Sequence, residues 1–212
     1  MLFLERVEIM QEETKILERC ERLFMRCGVK SVTMDDVSRE LGISKKTLYQ
    51  YFENKEDLVK KVTDSHFGIQ NKMVDEITKQ SRNAIDEMFA ISAFMNQFAK
   101  TIHPAVLFDI KKYHPASWAI FNKYRNTDIF NRILENVERG KKEGLYREDV
   151  NADFIARVYI AKVEMFIDPD IFPHDKYPVD KTHTLYMYYH TRSIASKKGI
   201  DYLEKIKTQN YV

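Results

Sequence analysis

An all-α architecture follows from three features of this 212-residue chain. Glycine and proline are scarce, at 6 and 5 residues, so few positions break a helix or supply the turns of a β architecture. Apolar residues recur at intervals of three and four along most of the length. No segment sustains the period-two alternation of a half-buried strand. The composition, 44% hydrophobic and 31% charged, is that of a folded globular protein, neither disordered nor fibrous. No run approaches the roughly 18 to 20 unbroken apolar residues of a membrane span. The opening MLFLERVEIMQEE has no apolar core before a cleavage site, so no signal peptide is expected. The expected location is the cytoplasm, with no membrane partner. A formal net charge of +2 does not by itself advertise a polyanionic partner.

The elements can be taken in order. Ile16, Cys20, Leu23 and Cys27, with Leu17 and Phe24 alongside, form one apolar stripe on a first helix that ends at Gly28. Cys20 and Cys27 fall on one face, yet their Cα atoms would lie ~10.5 Å apart, too far for a disulfide. Core packing is the expectation for both, with redox sensing between subunits as the alternative.

Residues 33 to 52 read TMDDVSRELGISKKTLYQYF. Thr33 is a good N-cap, and Asp35 and Asp36 fall in the first turn, where acids suit the positive end of the helix dipole. Val37 and Leu41 give this short helix an apolar side. Gly42 permits the positive φ of an abrupt turn, Ile43 plugs the corner and Ser44 caps the next helix. Leu48 and Phe52, four apart, anchor that helix to the first. The pattern is a helix-turn-helix whose outward face, Ser44, Lys45, Lys46, Thr47, Tyr49, Gln50 and Tyr51, is left for a partner. From Leu41 to Phe52 there are two lysines and no acid, so the local field is positive. Lysine neutralises phosphate or reaches guanine, glutamine pairs with adenine, and the threonine methyl meets that of thymine. Asn54-Lys55-Glu56-Asp57 then opens another helix, where backbone amides and Lys55 suit a phosphate.

Beyond residue 66 the chain is richer in aromatics. Only Phe3, Phe24, Tyr49, Tyr51 and Phe52 precede that point, out of 13 Phe, 12 Tyr and 1 Trp. Met88, Ile91, Met95, Phe98 and Ile102 form a seam on a helix ending before Pro104. A further helix is predicted from near Pro115 through Trp118, Phe121, Phe130, Ile133 and Val137 to about Gly140. Asp153 to Ile167 is apolar almost all round and needs cover on several sides, for which a partner subunit is a natural source. Lys162 interrupts it, and a structural ion pair is the expectation, with a ligand acid or a helix-edge position as the alternatives. Asp168 to Pro178 holds three prolines and must be a loop. The basic runs at Arg139-Gly140-Lys141-Lys142 and Lys197-Lys198-Gly199 read as solvated helix ends. A short terminal helix is expected from Ile200 to Ile206.

The run from Ile16 through Val59, above all TMDDVSRELGISKKTLYQYFENKEDLV, resembles the DNA-binding domain of the tetracycline-repressor (TetR) family of transcriptional regulators. Thr33, Gly42, Leu48-Tyr49, Phe52 and the Lys55-Glu56-x-Leu58 step carry the resemblance. Two positions depart from it: Ser38 replaces a usual small alanine, and Lys46 stands where a small residue is frequent. By matching positions the resemblance gives Thr33, Lys45, Thr47, Tyr49, Gln50, Tyr51 and Lys55 as DNA-facing. It implies a helix-turn-helix DNA-binding domain over 1–65, including the start of the connecting helix. It further implies a helical effector-binding and dimerisation domain over 66–212, a homodimer, a palindromic double-stranded DNA operator and an unidentified small-molecule effector. Helices that enclose the family's cavity supply Phe94, Phe98, Phe108, Trp118, Phe121, Tyr124, Tyr159 and Phe166 as candidate ligand residues. A pocket built from such aromatics is mainly apolar, with polar tips from tyrosine.

The expected function is thus a DNA-binding transcriptional regulator, most often a repressor in this family, released by a small, largely apolar ligand. An alternative keeps DNA binding and drops the ligand, giving an architectural or cell-division-coupled protein. No enzyme is expected, because the common nucleophile, dinucleotide, phosphate-loop and zinc-protease motifs are missing. No cofactor or metal is expected either. His183 and His190 are seven apart, and Asp168, Asp170, His174 and Asp175 crowd the proline loop without tight ligand spacing.

Overall fold

The computed structural model describes residues 2–100, 102–103, 105–168, 170–173 and 175–210. Eleven α-helices run through them: α1 (Leu2–Cys27), α2 (Met34–Leu41), α3 (Lys45–Tyr51), α4 (Lys55–Gln80), α5 (Ala84–Ala99), α6 (Ala105–Tyr113), α7 (Pro115–Tyr124), α8 (Phe130–Lys142), α9 (Ala152–Ile167), α10 (Val179–Ile194) and α11 (Lys197–Asn210). Among the described residues the only β pairing is an isolated antiparallel bridge between Tyr146 and Ala195. The protein is all-α. No helix is long and apolar enough to cross a membrane among these residues.

The chain forms two compact units that interleave in sequence. One comprises residues up to 70 together with 101–123, the other 71–100 and 124 onward. The division therefore does not fall at 65/66, where the aromatic content changes. Tertiary contacts group α6 and most of α7 with the front of the chain, although composition groups them with the body.

In the first unit, α1 buries Ile16, Cys20, Leu23 and Phe24 against Val37 and Leu41 of α2, Leu48 of α3, and Leu58, Val59 and Val62 of α4. Val106 of α6 joins the same cluster. Cys20 is fully buried, and burial pushes its thiol up to about 12. Cys27 departs from the core expectation and is exposed. It is the last residue of α1, so the stripe runs out of cover one turn before the helix stops at Gly28.

The second unit is built on Ile85, Met88 and Phe89 of α5, Ile133 and Val137 of α8, Ala156 and Tyr159 of α9, Met187 of α10 and Leu203 of α11. The helix predicted from Pro115 to about Gly140 is present as α7 and α8, with a π-helical stretch at Arg125–Ile129 between them. Extra residues of this kind widen a helix without ending it, and apolar periodicity does not register them. Gly140 is required by a close approach, since a Cβ there would enter the buried ring of Tyr146. That ring is fixed by its hydroxyl, which donates to Asn136 Oδ1 at 3.2 Å, while Asn136 Nδ2 donates to the Ala84 carbonyl at 2.9 Å.

Arg139 is not a solvated helix end. Its guanidinium donates to Glu87 Oε2 at 2.9 Å, Glu143 Oε1 at 2.8 Å and the Ser81 carbonyl at 3.0 Å. The terminal helix α11 begins at Lys197, before Gly199, and Lys198 Nζ donates to the carbonyl of Glu143 at the end of α8. Between α9 and α10, residues 170–173 and 175–178 form turns, with the amides of Ile171 and Phe172 donating to the Asp168 carbonyl. Pro104, Pro169 and His174 lie outside the described residues.

Among the described side chains of α9, the apolar girth is only partly covered. Ala156 and Tyr159 are buried, but Phe154 is 61% exposed and Val158, one turn later, is also exposed. On α10, which packs against α9, Leu185 and Tyr189 repeat the pattern, Tyr189 at 61%.

Candidate nucleic-acid interface

The helix-turn-helix is held by local hydrogen bonds that follow from its residue types. Thr33 is the N-cap of α2 in a full capping box. Its hydroxyl oxygen accepts from the Asp36 amide at 3.2 Å, and its own amide donates to Asp36 Oδ2 at 2.9 Å. The Thr33 side chain, more than any other group, holds the Asp36 carboxyl below its ordinary range. At the other end Gly42 adopts φ 72°, and the amides of Gly42 and Ile43 donate back to Arg39 and Ser38. Ser38 is buried, yet its hydroxyl is satisfied by the Asp35 carbonyl at 3.0 Å, which explains why a polar residue is tolerated there.

Ser44 caps α3, its Oγ accepting from the Thr47 amide at 3.0 Å. Leu48 and Phe52 are buried against α1, α2 and α4, which fixes the orientation of the whole helix. As a result Ser44, Lys45, Lys46, Tyr49 and Gln50 are exposed, Tyr49 to 50%, with Thr47 and Tyr51 half-buried at the margins. Lys45 is engaged within the domain, ion-paired with Asp35 of α2. Lys61 Nζ donates to the Tyr51 carbonyl at 2.9 Å and closes the end of α3.

Lys55 opens α4 and is half-buried, its Nζ donating to the Lys30 carbonyl at 3.2 Å. Burial lowers the pKa of its ammonium. Asn54 caps this helix by accepting from the Asp57 amide at 3.0 Å. The structure thus brings all nine sequence-predicted residues, Thr33, Ser44, Lys45, Lys46, Thr47, Tyr49, Gln50, Tyr51 and Lys55, into one unit.

Several contributors to this geometry have no signature in local spacing. Arg19 Nη1 donates to the carbonyl of Leu41 at 3.0 Å, and its other nitrogen to that of Glu40. Arg26 pairs with the Glu40 carboxylate at 3.0 Å. Asp109 of α6 accepts from the Lys30 amide at 2.8 Å, and His114 meets Glu56 at 2.5 Å. Backbone acceptors and partners tens of residues away leave no periodic trace.

The candidate ligand residues divide between the units. Phe94, Phe98, Tyr124 and Tyr159 belong to the second, where Tyr124 and Tyr159 are buried and Phe94 and Phe98 half-buried. Phe108, Trp118 and Phe121 belong to the first. Phe108 is 57% exposed under Lys112, while Trp118 and Phe121 pack on each other at 4.9 Å. The side chain of Phe166 lies outside the described ones.

Lys162 is not at a helix edge. It is 5% exposed in the second unit, with its Nζ 3.3 Å from the Tyr159 ring centroid, 4.2 Å from that of Tyr186 and 3.3 Å from Met187 Sδ. Burial lowers its pKa well below the usual lysine range. The neighbouring His183 and His190 are pushed down to about 3 and about 4, by burial first and by Lys162 second. His183 Nδ1 bonds Asn96 Oδ1 at 2.9 Å, and His190 stacks on Tyr186.

Residues 16–62 match the family model described as bacterial regulatory proteins, tetR family. The chain is 25% identical over 159 residues to the HTH-type transcriptional regulator YvaF of Bacillus subtilis, covering 74% of this chain and 82% of that protein. It is 24% identical over 157 residues to the HTH-type transcriptional repressor KstR2 of Mycolicibacterium smegmatis, covering 68% and 71%. The crystal structure of a TetR-family regulator from Agrobacterium tumefaciens superimposes with a TM-score of 0.71 at 17% identity, covering 88% of this chain and 99% of that one.

Proposed function

Because the chain belongs to the TetR family of DNA-binding transcriptional regulators, we propose that it acts as a homodimeric cytoplasmic repressor, released from a palindromic duplex operator by a small, largely apolar effector. The observation that carries this reading is the outward face of α3, whose polar residues are exposed while Leu48 and Phe52 are locked in the core. In this reading Lys46, Thr47, Tyr49, Gln50 and Tyr51 meet base edges and adjoining phosphates in the major groove. Thr33, Ser44, Lys45 and Lys55 hold the backbone. Lys45 exchanges its pair with Asp35 for a phosphate, which costs little because surface ion pairs are weak.

Dimerisation is supported by the exposed apolar pairs Phe154–Val158 on α9 and Leu185–Tyr189 on α10. A two-fold dimer sets two α3 helices one helical turn of DNA apart, about 34–36 Å. The effector is assigned to the second unit, with Phe94, Phe98, Tyr124 and Tyr159 as its apolar wall. It releases DNA by binding the unliganded-operator conformer more tightly, as linkage requires.

The test is footprinting of the chain on the DNA flanking its own gene, followed by competition with metabolite extracts. A protected inverted repeat that Lys46→Gln and Tyr49→Ala both abolish is the expected result. Protection without symmetry, or unaffected by either substitution, overturns the assignment of α3.

A further inference from the structure

The end of α6 places a second group of cations in the same unit as α3. Lys30, in the loop between α1 and α2, lies with its Nζ 4.7 Å from the ring centroid of Tyr113 and donates to the Tyr113 hydroxyl at 3.1 Å. Lys112 Nζ lies 5.4 Å from the same ring and 5.3 Å from that of Phe108. Both lysines are exposed. The Lys30 carbonyl, three residues before the Thr33 cap of α2, in turn holds Lys55 Nζ, so a third cation adjoins this pair. The Lys30 hydrogen bond, followed by the charges of Lys112 and Lys30, pulls the Tyr113 phenol below its usual range.

The placement is built into the fold. Buried Asp109 accepts from the Lys30 amide, and buried His114 meets Glu56 in the first turn of α4. Asp109, Glu56 and Asp36 are thus each tied to a protein partner, Asp36 within its capping box, while Lys30 and Lys112 are exposed. Aromatic rings hold lysine stems at little entropic cost and leave the charge available to an anion.

We propose that Lys30 and Lys112, gathered on the ring of Tyr113 beside Lys55, form a second phosphate-gripping strip that binds the duplex backbone flanking each recognition half-site. The proposal rests on the reading of α3 as the recognition helix. The segment 101–123 then contributes directly to DNA affinity, without contributing to sequence choice.

The test uses the full chain and duplexes that it selects from a random pool, each prepared trimmed to the protected half-sites or extended by about ten base pairs, one helical turn, on either side. The wild type is expected to bind the extended duplex more tightly. The Lys30→Gln/Lys112→Gln double variant should lose that gain and reduce the slope of log K against log salt by about 0.9 per lysine, with base preference unchanged. Tyr113→Leu should lose part of the same gain. Thermal unfolding of each variant at the wild-type temperature establishes that the fold is kept. An unchanged salt slope overturns the proposal, as does an equal loss on trimmed and extended duplexes. A loss of binding to anionic lipid vesicles with DNA binding intact also overturns it, assigning the strip to lipid headgroups. Lys46→Gln separates the two readings, since it should weaken both duplexes equally whether or not the strip exists. A wild type that binds no duplex sinks both.

Discussion

Arg19 of α1 donates a 3.0 Å hydrogen bond to the carbonyl of Leu41, the last residue of α2, and a second bond to the carbonyl before it. These are orphan acceptors of a helix C-terminus, and a guanidinium fork suits two of them at once. The turn that aims α3 is therefore clamped from outside the motif. Arg19→Ala should cost about 1 kcal/mol of stability by denaturant unfolding. It should also weaken operator binding, because the angle between α2 and α3 is less constrained. Arg19→Lys should restore little, as an ammonium lacks the fork. Operator affinity equal to wild type in Arg19→Ala would remove the clamp from the account.

The ion pair of Lys45 with Asp35 tests the proposed phosphate contact of Lys45. Asp35→Asn keeps the shape of the first turn of α2 and releases the lysine. Duplex affinity at low salt should rise roughly two- to fivefold, the range of a surface pair of about 0.5–1 kcal/mol, with little change in thermal stability. Fluorescence anisotropy at two salt concentrations reads the effect, and a fall in affinity at both would show that Lys45 meets no phosphate.

The Arg139–Glu87 pair tests the second unit. Glu87 is 4% exposed, and burial raises its pKa despite the guanidinium beside it. Arg139→Met strands this carboxylate and should destabilise the protein by about 3–5 kcal/mol at neutral pH. A carboxyl with a raised folded pKa stabilises the fold below its unfolded value and loses that contribution as pH rises. The deficit of Arg139→Met should therefore shrink near pH 5. Urea midpoints at the two pH values measure it, and an equal deficit at both argues against a buried charge.

The Lys162 cluster sets an acid limit. His183 and His190 have folded pKa values of about 3 and about 4, against an ordinary 6.5. The unfolded chain takes up protons that the folded chain refuses, so the histidines' contribution to stability is complete above pH 6.5 and is lost as pH drops through about 4 and about 3. The slope reaches up to about 1.4 kcal/mol per pH unit for each histidine. Lys162 works in the same direction at higher pH. Lys162→Met, of similar volume, should raise the melting temperature at pH 7 and flatten the acid limb, because it removes both the buried amine and its repulsion of the histidines. A lower melting temperature would mean that the lysine is paired more strongly than its burial costs.

Helix boundaries around the helix-turn-helix were legible from residue types alone. Thr33, Gly42 and Ser44 act on their own backbone within three residues, so local sequence suffices to place α2, the turn and α3. The same holds for the exposed face of α3, because Leu48 and Phe52 have one side to bury and the intervening residues must point away. What lay beyond reach depends on partners far along the chain. Cys27 keeps the spacing of a core residue and is exposed, since cover comes from other helices and ends before α1 does. Arg139 sits among basic residues at a helix end, yet it is drawn inward by Glu87, 52 positions earlier.

The grouping of α6 and α7 with the front of the chain has the same origin. Val106, Asp109 and His114 join the first unit through one apolar contact, one backbone amide and one carboxylate, none of which alters the local pattern of the segment. Periodicity and capping act over three or four residues, and within that range the chain dictated its own helices and the turn between α2 and α3. Which helices share a core, which cations face outward together, and which charges are buried are set by contacts spanning tens of residues. Those were decided only by the tertiary packing.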